Sequence, residues 1–572
     1  MGGFFKAALR MPRSRTPVLF SAAILLTTAA FGAGFGAYPG HPETSPGIMA
    51  ADLSARNKAI ADDAFQGRGP GTVAGEASAQ WIADEMKRIG VGPANRGSYF
   101  QKVPAVAITL DTKASHFAIA TPKGLLTPQP GEHVTYWTPR FAKPDVAVTD
   151  SDLVFVGYGV VAPEYGWNDY AGINVKGKTV VVLVNDPGNE DARPDPRLFK
   201  GKAMTYYGRW TYKFEEAARQ GAAAAIIVHE TKPAAYGWQV VGNSYGTAKM
   251  WQEAKGGNSS MLPIQSWITL DTAKDLFRRA GLDYITLKAA ANKRGFKAVP
   301  MTGERLNVMA HSLIAHTASR NVVGMIPGAK RPDDIVIFSA HWDHLGRTDS
   351  LPGKDKIYNG AVDDGLGTSQ VLELAEKFSH DKPPQRSLVF AFWTLEEQGL
   401  LGSEYFGVNP LWPRDHIVGV INLDDSGPQP RAHDLKALGT GQSELEDVLK
   451  QALATQHRVL SPDPEPEKGL FFRADHFSLA KLGIPAISPG GGHDLLVGGN
   501  AAGQKLADDY TDHRYHQPSD EWRADWDLSG PTEDMQAYYL AGVSLANSDK
   551  WPNYYKGSEF RALRDKDMAL KK

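Results

Sequence analysis

The stretch DIVIFSAHWDHLG, Asp334–Gly346, decides how this chain is read. Ile335–Phe338 is an unbroken apolar run entered from a pair of aspartates, the pattern of a short strand buried on both faces. Where the run ends, two histidines flank one aspartate. In open α/β sheets ligands bind outside the carboxyl ends of the strands. The question is whether other strands deliver matching chemistry to the same edge.

They do. SLVFAFWT runs into Glu396 and Glu397, IVGVINL runs into Asp424, and IPAIS runs into the glycines Gly490–Gly492. Helical stretches such as TSQVLELAEKF lie between these runs. Short apolar strands alternating with helices predict an α/β architecture, with a mostly parallel central sheet flanked by helices.

Each polar residue at these strand ends has an ordinary structural role open to it. A His or Asp after a strand serves in solvated loops, and Asp363 or Asp364 before a helix can accept backbone N–H groups as an N-cap. Together they make a different case. In the His-x-Asp spacing, Asp343 can reach the ring of His341 and aim its other nitrogen at a metal; His344 is read as a bystander. Asp364 can cap while Asp363 points into the site. The adjacent carboxylates Glu396 and Glu397 repel, a cost that a cation relieves. Asp424 and His516, the latter in YHQPSDE, complete two histidines and three carboxylates with a spare glutamate. With one carboxylate bridging, that gives three ligands to each of two metals. Cysteine is absent, so any metal must be held by His, Asp and Glu.

SAHWDHLG, GAVDDGLG, TLEEQGLLGS, INLDD and YHQPSDE resemble, in order, the five metal-site blocks of the zinc-dependent aminopeptidase and glutamate carboxypeptidase family. FFRADHFSLAKLGIP, Phe471–Pro485, resembles its substrate-side block and DAFQGRGPGT, Asp63–Thr72, its amino-terminal block. The resemblance implies a zinc exopeptidase fold and two zinc ions per chain. One zinc would take His341, Asp363 and Asp424, the other Asp363, Glu397 and His516. Glu396 would be the general base, Asp343 the orienter of His341, and Tyr515 a donor to the tetrahedral oxyanion. Arg473 and Asp475 are candidate substrate contacts, with a loop-supporting salt bridge as the structural alternative. Asp425 stands where many relatives have methionine. The substrate would be a peptide, and which end is recognised stays open between an aminopeptidase, the favoured reading, and a carboxypeptidase or dipeptidase.

A length of 572 residues exceeds the roughly 250–300 at which single cores stop growing, so more than one domain is expected. Residues 1–37 combine Lys6, Arg10, Arg13 and Arg15 with an uncharged apolar stretch, the layout of an export signal or membrane anchor. A periplasmic or secreted location follows. Residues 44–140 are read as the amino-terminal part of the peptidase domain and 301–560 as its main part. Between them, at 141–300, LVFVGYGVV, VKGKTVVVLV and FEEAARQGAAAAIIV form a β-rich module similar to the inserted protease-associated (PA) domain. The 62 basic and 64 acidic residues nearly cancel, which removes the electrostatic argument for a nucleic-acid partner.

Three rival readings remain. GNSYG, Gly242–Gly246, fits the G-x-S-x-G elbow of serine hydrolases but is one short motif in a glycine-rich chain. A receptor-like protein that keeps the fold without catalysis would be expected to have lost ligands or the base. A glutaminyl cyclase would use a single zinc, against which Asp363 and the Glu396–Glu397 pair argue.

Overall fold

The computed structural model describes residues 37–348 and 355–571. The expected export segment therefore lies, but for Ala37, outside the described residues. No helix among the described residues is long and apolar enough to cross a membrane.

In chain order the elements that matter are helices α1 (Ala50–Ile60) and α2 (Val73–Arg88), then strands β1 (Phe100–Leu110), β2 (Val134–Trp137), β3 (Asp145–Phe155), β4 (Thr179–Leu183), β5 (Ala224–His229) and β6 (Ile264–Thr269). After these come the long strand β7 (Val299–Ile326), β8 (Arg331–His341), helix α3 (Gly365–Ser379), β9 (Arg386–Trp393), β10 (Ile417–Asn422), β11 (Ala486–Ile487), and helices α4 (Gly499–His513) and α5 (Ser529–Asn547). The strands run in one sheet in the order β11-β10-β8-β9-β7-β3-β4-β5-β6-β2. The first four are mutually parallel, as are β3 to β6. β7 is antiparallel to β9 through residues 322–326 and to β3 through residues 299–311, so one strand joins two parallel halves into a mixed sheet.

The half that ends in the strand-end acids is buried on both faces. Val336, Phe338 and Ala340 of β8 pack with α2, α3 and α5, while Ile335 and Ile337 pack with Phe406, Leu479 and Ile484 on the other face. This two-sided burial explains why the run shows no polar alternation. The stretch EASAQWIADEMKRIG lies on α2, which is capped by Thr72 Oγ1 on the Gly75 N–H at 3.0 Å and ended near Gly90, which has φ +85°. Arg56 of α1 is fully buried and ties three helices together, pairing with Glu85 of α2 at 3.1 Å and with Glu373 and Glu376 of α3.

The other half has its own core. Val154, Val180, Val182 and Ile227 face one layer, and Phe155, Val181, Leu183 and Ile226 the other. Phe117, Ile119, Val134 and Tyr136 belong to this same core. The packing therefore gathers residues that lie before 141, where the sequence reading starts the β-rich module. This half rests on the segment leading to the substrate-side block: the Met204 N–H donates to Pro466 O at 2.9 Å, and the Tyr206 ring lies 5.1 Å from that of Phe477.

Candidate metal centre

Three strand ends and one helix start converge. His341 is the last residue of β8, Glu396 and Glu397 follow β9, Asp424 follows β10, and Asp363 precedes α3. Asp364 caps α3 by accepting from the Gly367 N–H at 2.9 Å, while its other oxygen accepts from the His341 N–H at 3.1 Å. The Asp363–Asp364 peptide is cis. The paired aspartates thus divide their work, with Asp363 turned toward the histidines.

The geometry centres on Asp363. Its Oδ1 lies 3.2 Å from His341 Nε2, and its Oδ2 lies 3.1 Å from His516 Nε2. His341 Nε2 is also 3.4 Å from Asp424 Oδ1, and His516 Nε2 is 3.1 Å from Glu397 Oε2. Ligands about 2.0–2.1 Å from a tetrahedral zinc stand roughly 3.3 Å from one another. The His–carboxylate distances within His341–Asp363–Asp424 and Asp363–Glu397–His516 fit that spacing, and the two sets share one carboxylate. Glu396 stands further back, with Oε2 3.9 Å from His341 Nε2.

The tautomers point the same way. His341 donates from Nδ1 to the main-chain carbonyl of Asp343 at 3.0 Å, which leaves Nε2 facing the carboxylates. The Asp343 carboxylate, expected to orient that ring, is 3.9 Å from it and instead accepts from the Glu396 N–H at 3.1 Å. Asp343 is thus placed beside both residues, through its carbonyl and its side chain respectively.

His344, read from sequence as a bystander, is fully buried with Nδ1 2.5 Å from Glu397 Oε1. The His-x-x-His spacing with His341 is the one sequence feature that could have marked it. Tyr515 stacks on His516 with ring centroids 3.9 Å apart, and its hydroxyl accepts from Arg473 Nη2 at 3.3 Å. Asp475 is buried, and no salt bridge joins it to Arg473 among the described residues. Asp425 pairs with Lys436 at 3.0 Å, so its charge is already answered. Met250 of the aromatic stretch Tyr236–Trp251 donates its N–H to Gln398 at 3.2 Å, next to Glu397.

The electrostatics describe a site short of positive charge. Burial pushes the Glu396 carboxyl well above its usual range, reinforced by Asp424, Glu397 and Asp475 against the opposing pull of His341. Burial likewise lifts Asp343 to about 7. Glu397 goes the other way: burial would raise it, but His516 and His344 hold it at about 2. Buried like charges in contact call for a cation between them.

Ser244, the centre of GNSYG, spends its hydroxyl on the Val241 carbonyl at 2.7 Å and sits before the strand Ala248–Gln252 rather than between a strand and a helix. It lacks the exposed strand-to-helix setting of a nucleophile elbow.

Residues 321–540 match the model of peptidase family M28. Over 130 residues the chain is 33% identical to aminopeptidase NAALADL1 of Mus musculus, covering 22% of this chain and 16% of that protein. Over 212 residues it is 28% identical to a glutamate carboxypeptidase 2 homolog of Caenorhabditis elegans, covering 36% of this chain and 25% of that one. The chain thus spans a quarter or less of the length of these two relatives. The solved aminopeptidase from Aneurinibacillus sp. strain AM-1 superposes with a TM-score of 0.50 at 19% identity, covering 88% of this chain and 95% of that one, a likeness of fold. The similarity to peptidase family M28 lies in residues 321–540, the stretch that holds His341, Asp363, Glu397, Asp424 and His516.

Proposed function

We propose that the chain is an exported, periplasmic or secreted, dizinc metallopeptidase that removes amino-terminal residues from peptides. The observation that carries this reading is Asp363, whose two oxygens face His341 and His516 at 3.2 and 3.1 Å, while Glu396 stands further from His341, at 3.9 Å. His341, Asp363 and Asp424 would hold one zinc ion, and Asp363, Glu397 and His516 the other. Bound there, the two ions lower the pKa of a water molecule and polarise the scissile carbonyl.

The protein's own residues do the rest. Glu396 takes the proton of the attacking water and returns it to the leaving amine. Asp343 holds Glu396 through its backbone N–H. Tyr515, whose hydroxyl accepts from Arg473, would donate to the oxyanion. Glu397 is committed to His516 and His344 and is the poorer base.

A carboxypeptidase or dipeptidase reading has one observation in its favour. Arg473 forms no ion pair with a carboxylate among the described residues, and a half-buried guanidinium suits a terminal carboxylate. Zinc titration of the metal-free protein, paired with peptide hydrolysis before and after chelation, tests the main reading. Two equivalents bound and chelator-sensitive cleavage are expected; cleavage that survives complete metal removal would refute it.

A further inference from the structure

Arg68 lies at the end of the turn Asp63–Arg68, in the left-handed region at φ +51°, with only 1% of its surface exposed. The turn is possible because Gly67 has no Cβ: one there would overlap the carbonyls of Gly346 and Tyr358. The buried guanidinium spends its donors on main-chain carbonyls. Nε donates to Trp342 O at 2.8 Å, Nη2 to Gly360 O at 2.8 Å and Asp363 O at 3.3 Å, and Nη1 to Ile60 O at 3.3 Å and to Asn359 O. Trp342 directly follows His341. One planar fork therefore joins the loop that carries His341 to the loop that carries Asp363.

Asp520 holds the same loop from its N–H side. Its carboxylate accepts from the Val362 N–H at 3.0 Å and the Asp363 N–H at 3.1 Å, and its carbonyl accepts from the Ala361 N–H at 3.0 Å. Asp520 is fully buried and lies in the turn that begins with His516. The segment 359–363 is thus gripped on its carbonyls by a residue that also grips the His341 loop, and on its N–H groups by a residue of the His516 loop.

We infer that Arg68 and Asp520 are positioning residues that set the separation of Asp363 from His341 and from His516, and so the affinity and geometry of the two metal positions. They act through the backbone and touch neither ion, and the inference rests on the dizinc reading above. Arg68 governs the His341 side and Asp520 the His516 side. Lysine cannot replace the arginine, because a single ammonium has no fork with which to span both loops.

The test is titration of metal-free protein with cobalt(II), followed by calorimetry and by the visible absorption of the bound ion. Melting of the metal-free protein serves as the control for folding. Asp520→Asn keeps the side-chain volume; it is expected to bind the first equivalent as the wild type does and the second about 10–100-fold more weakly, with an altered spectrum. Arg68→Lys is expected to weaken the first equivalent by a similar factor. If Arg68→Lys does not fold, Asp520→Asn decides alone. A folded Asp520→Asn protein with both wild-type affinities and the wild-type spectrum overturns the inference while the dizinc reading stands. A wild-type protein that takes up fewer than two ions overturns both.

Discussion

His341 donates from Nδ1 to the main-chain carbonyl of Asp343, 3.0 Å away, and not to its carboxylate at 3.9 Å. The carboxylate is engaged by the Glu396 N–H instead. Asp343→Asn should therefore leave metal content unchanged and lower kcat about tenfold, the scale of a group that orients another. Metal analysis beside steady-state kinetics checks this; loss of metal would return the carboxylate to the role of ring orienter.

Glu396 stands 3.9 Å from His341 Nε2, further than Asp363 or Asp424. Glu396→Gln should retain both ions and lose about 10³-fold or more in kcat, within the range for removing a general base. Turnover near that of the wild type would remove Glu396 from the mechanism.

Asp363 is shared by the two donor sets, whereas Asp424 faces His341 alone at 3.4 Å. Asp363→Ala should lose both ions on dialysis. Asp424→Ala should keep one. Equal losses in the two variants, measured by elemental analysis, would contradict a bridging Asp363.

Stability at low pH is expected to run through Glu85. Burial would raise its carboxyl, but hydrogen bonds from Arg88 and His41 and the charge of Arg56 hold it at about 2, against an ordinary 4.5. A depressed pKa stabilises the fold above pH 4.5, and that contribution is lost as the pH falls from 4.5 toward 2; it amounts to about 3 kcal/mol. Glu373, across the same arginine, is raised to about 7 by burial, so below 4.5 it is protonated folded or unfolded and adds no slope. Glu85→Gln should lower Tm at pH 7 and flatten the decline between pH 4.5 and 2, as thermal melts would show. An unchanged decline would place the acid sensitivity elsewhere.

The strands were legible because buried parallel strands leave unbroken apolar runs, and His341, Glu396, Glu397 and Asp424 were legible because each follows such a run. His344 was not: a loop histidine carries no periodicity to show where its ring points, and its burial against Glu397 is set by the fold. Arg68 reads as part of a glycine-rich turn because most of its partners lie far along the chain, as Asn359 does, 291 positions away. Phe117 and Ile119 sit on a short strand that pairs with the distant β7, and only that non-local pairing assigns them to the second core.

The most direct measurement compares a short peptide with its N-acetylated form, both incubated with zinc-loaded protein. Release of the amino-terminal residue from the free peptide alone, abolished by chelator, is the predicted result. Equal cleavage of both forms, or release of only the carboxyl-terminal residue, would contradict the aminopeptidase assignment.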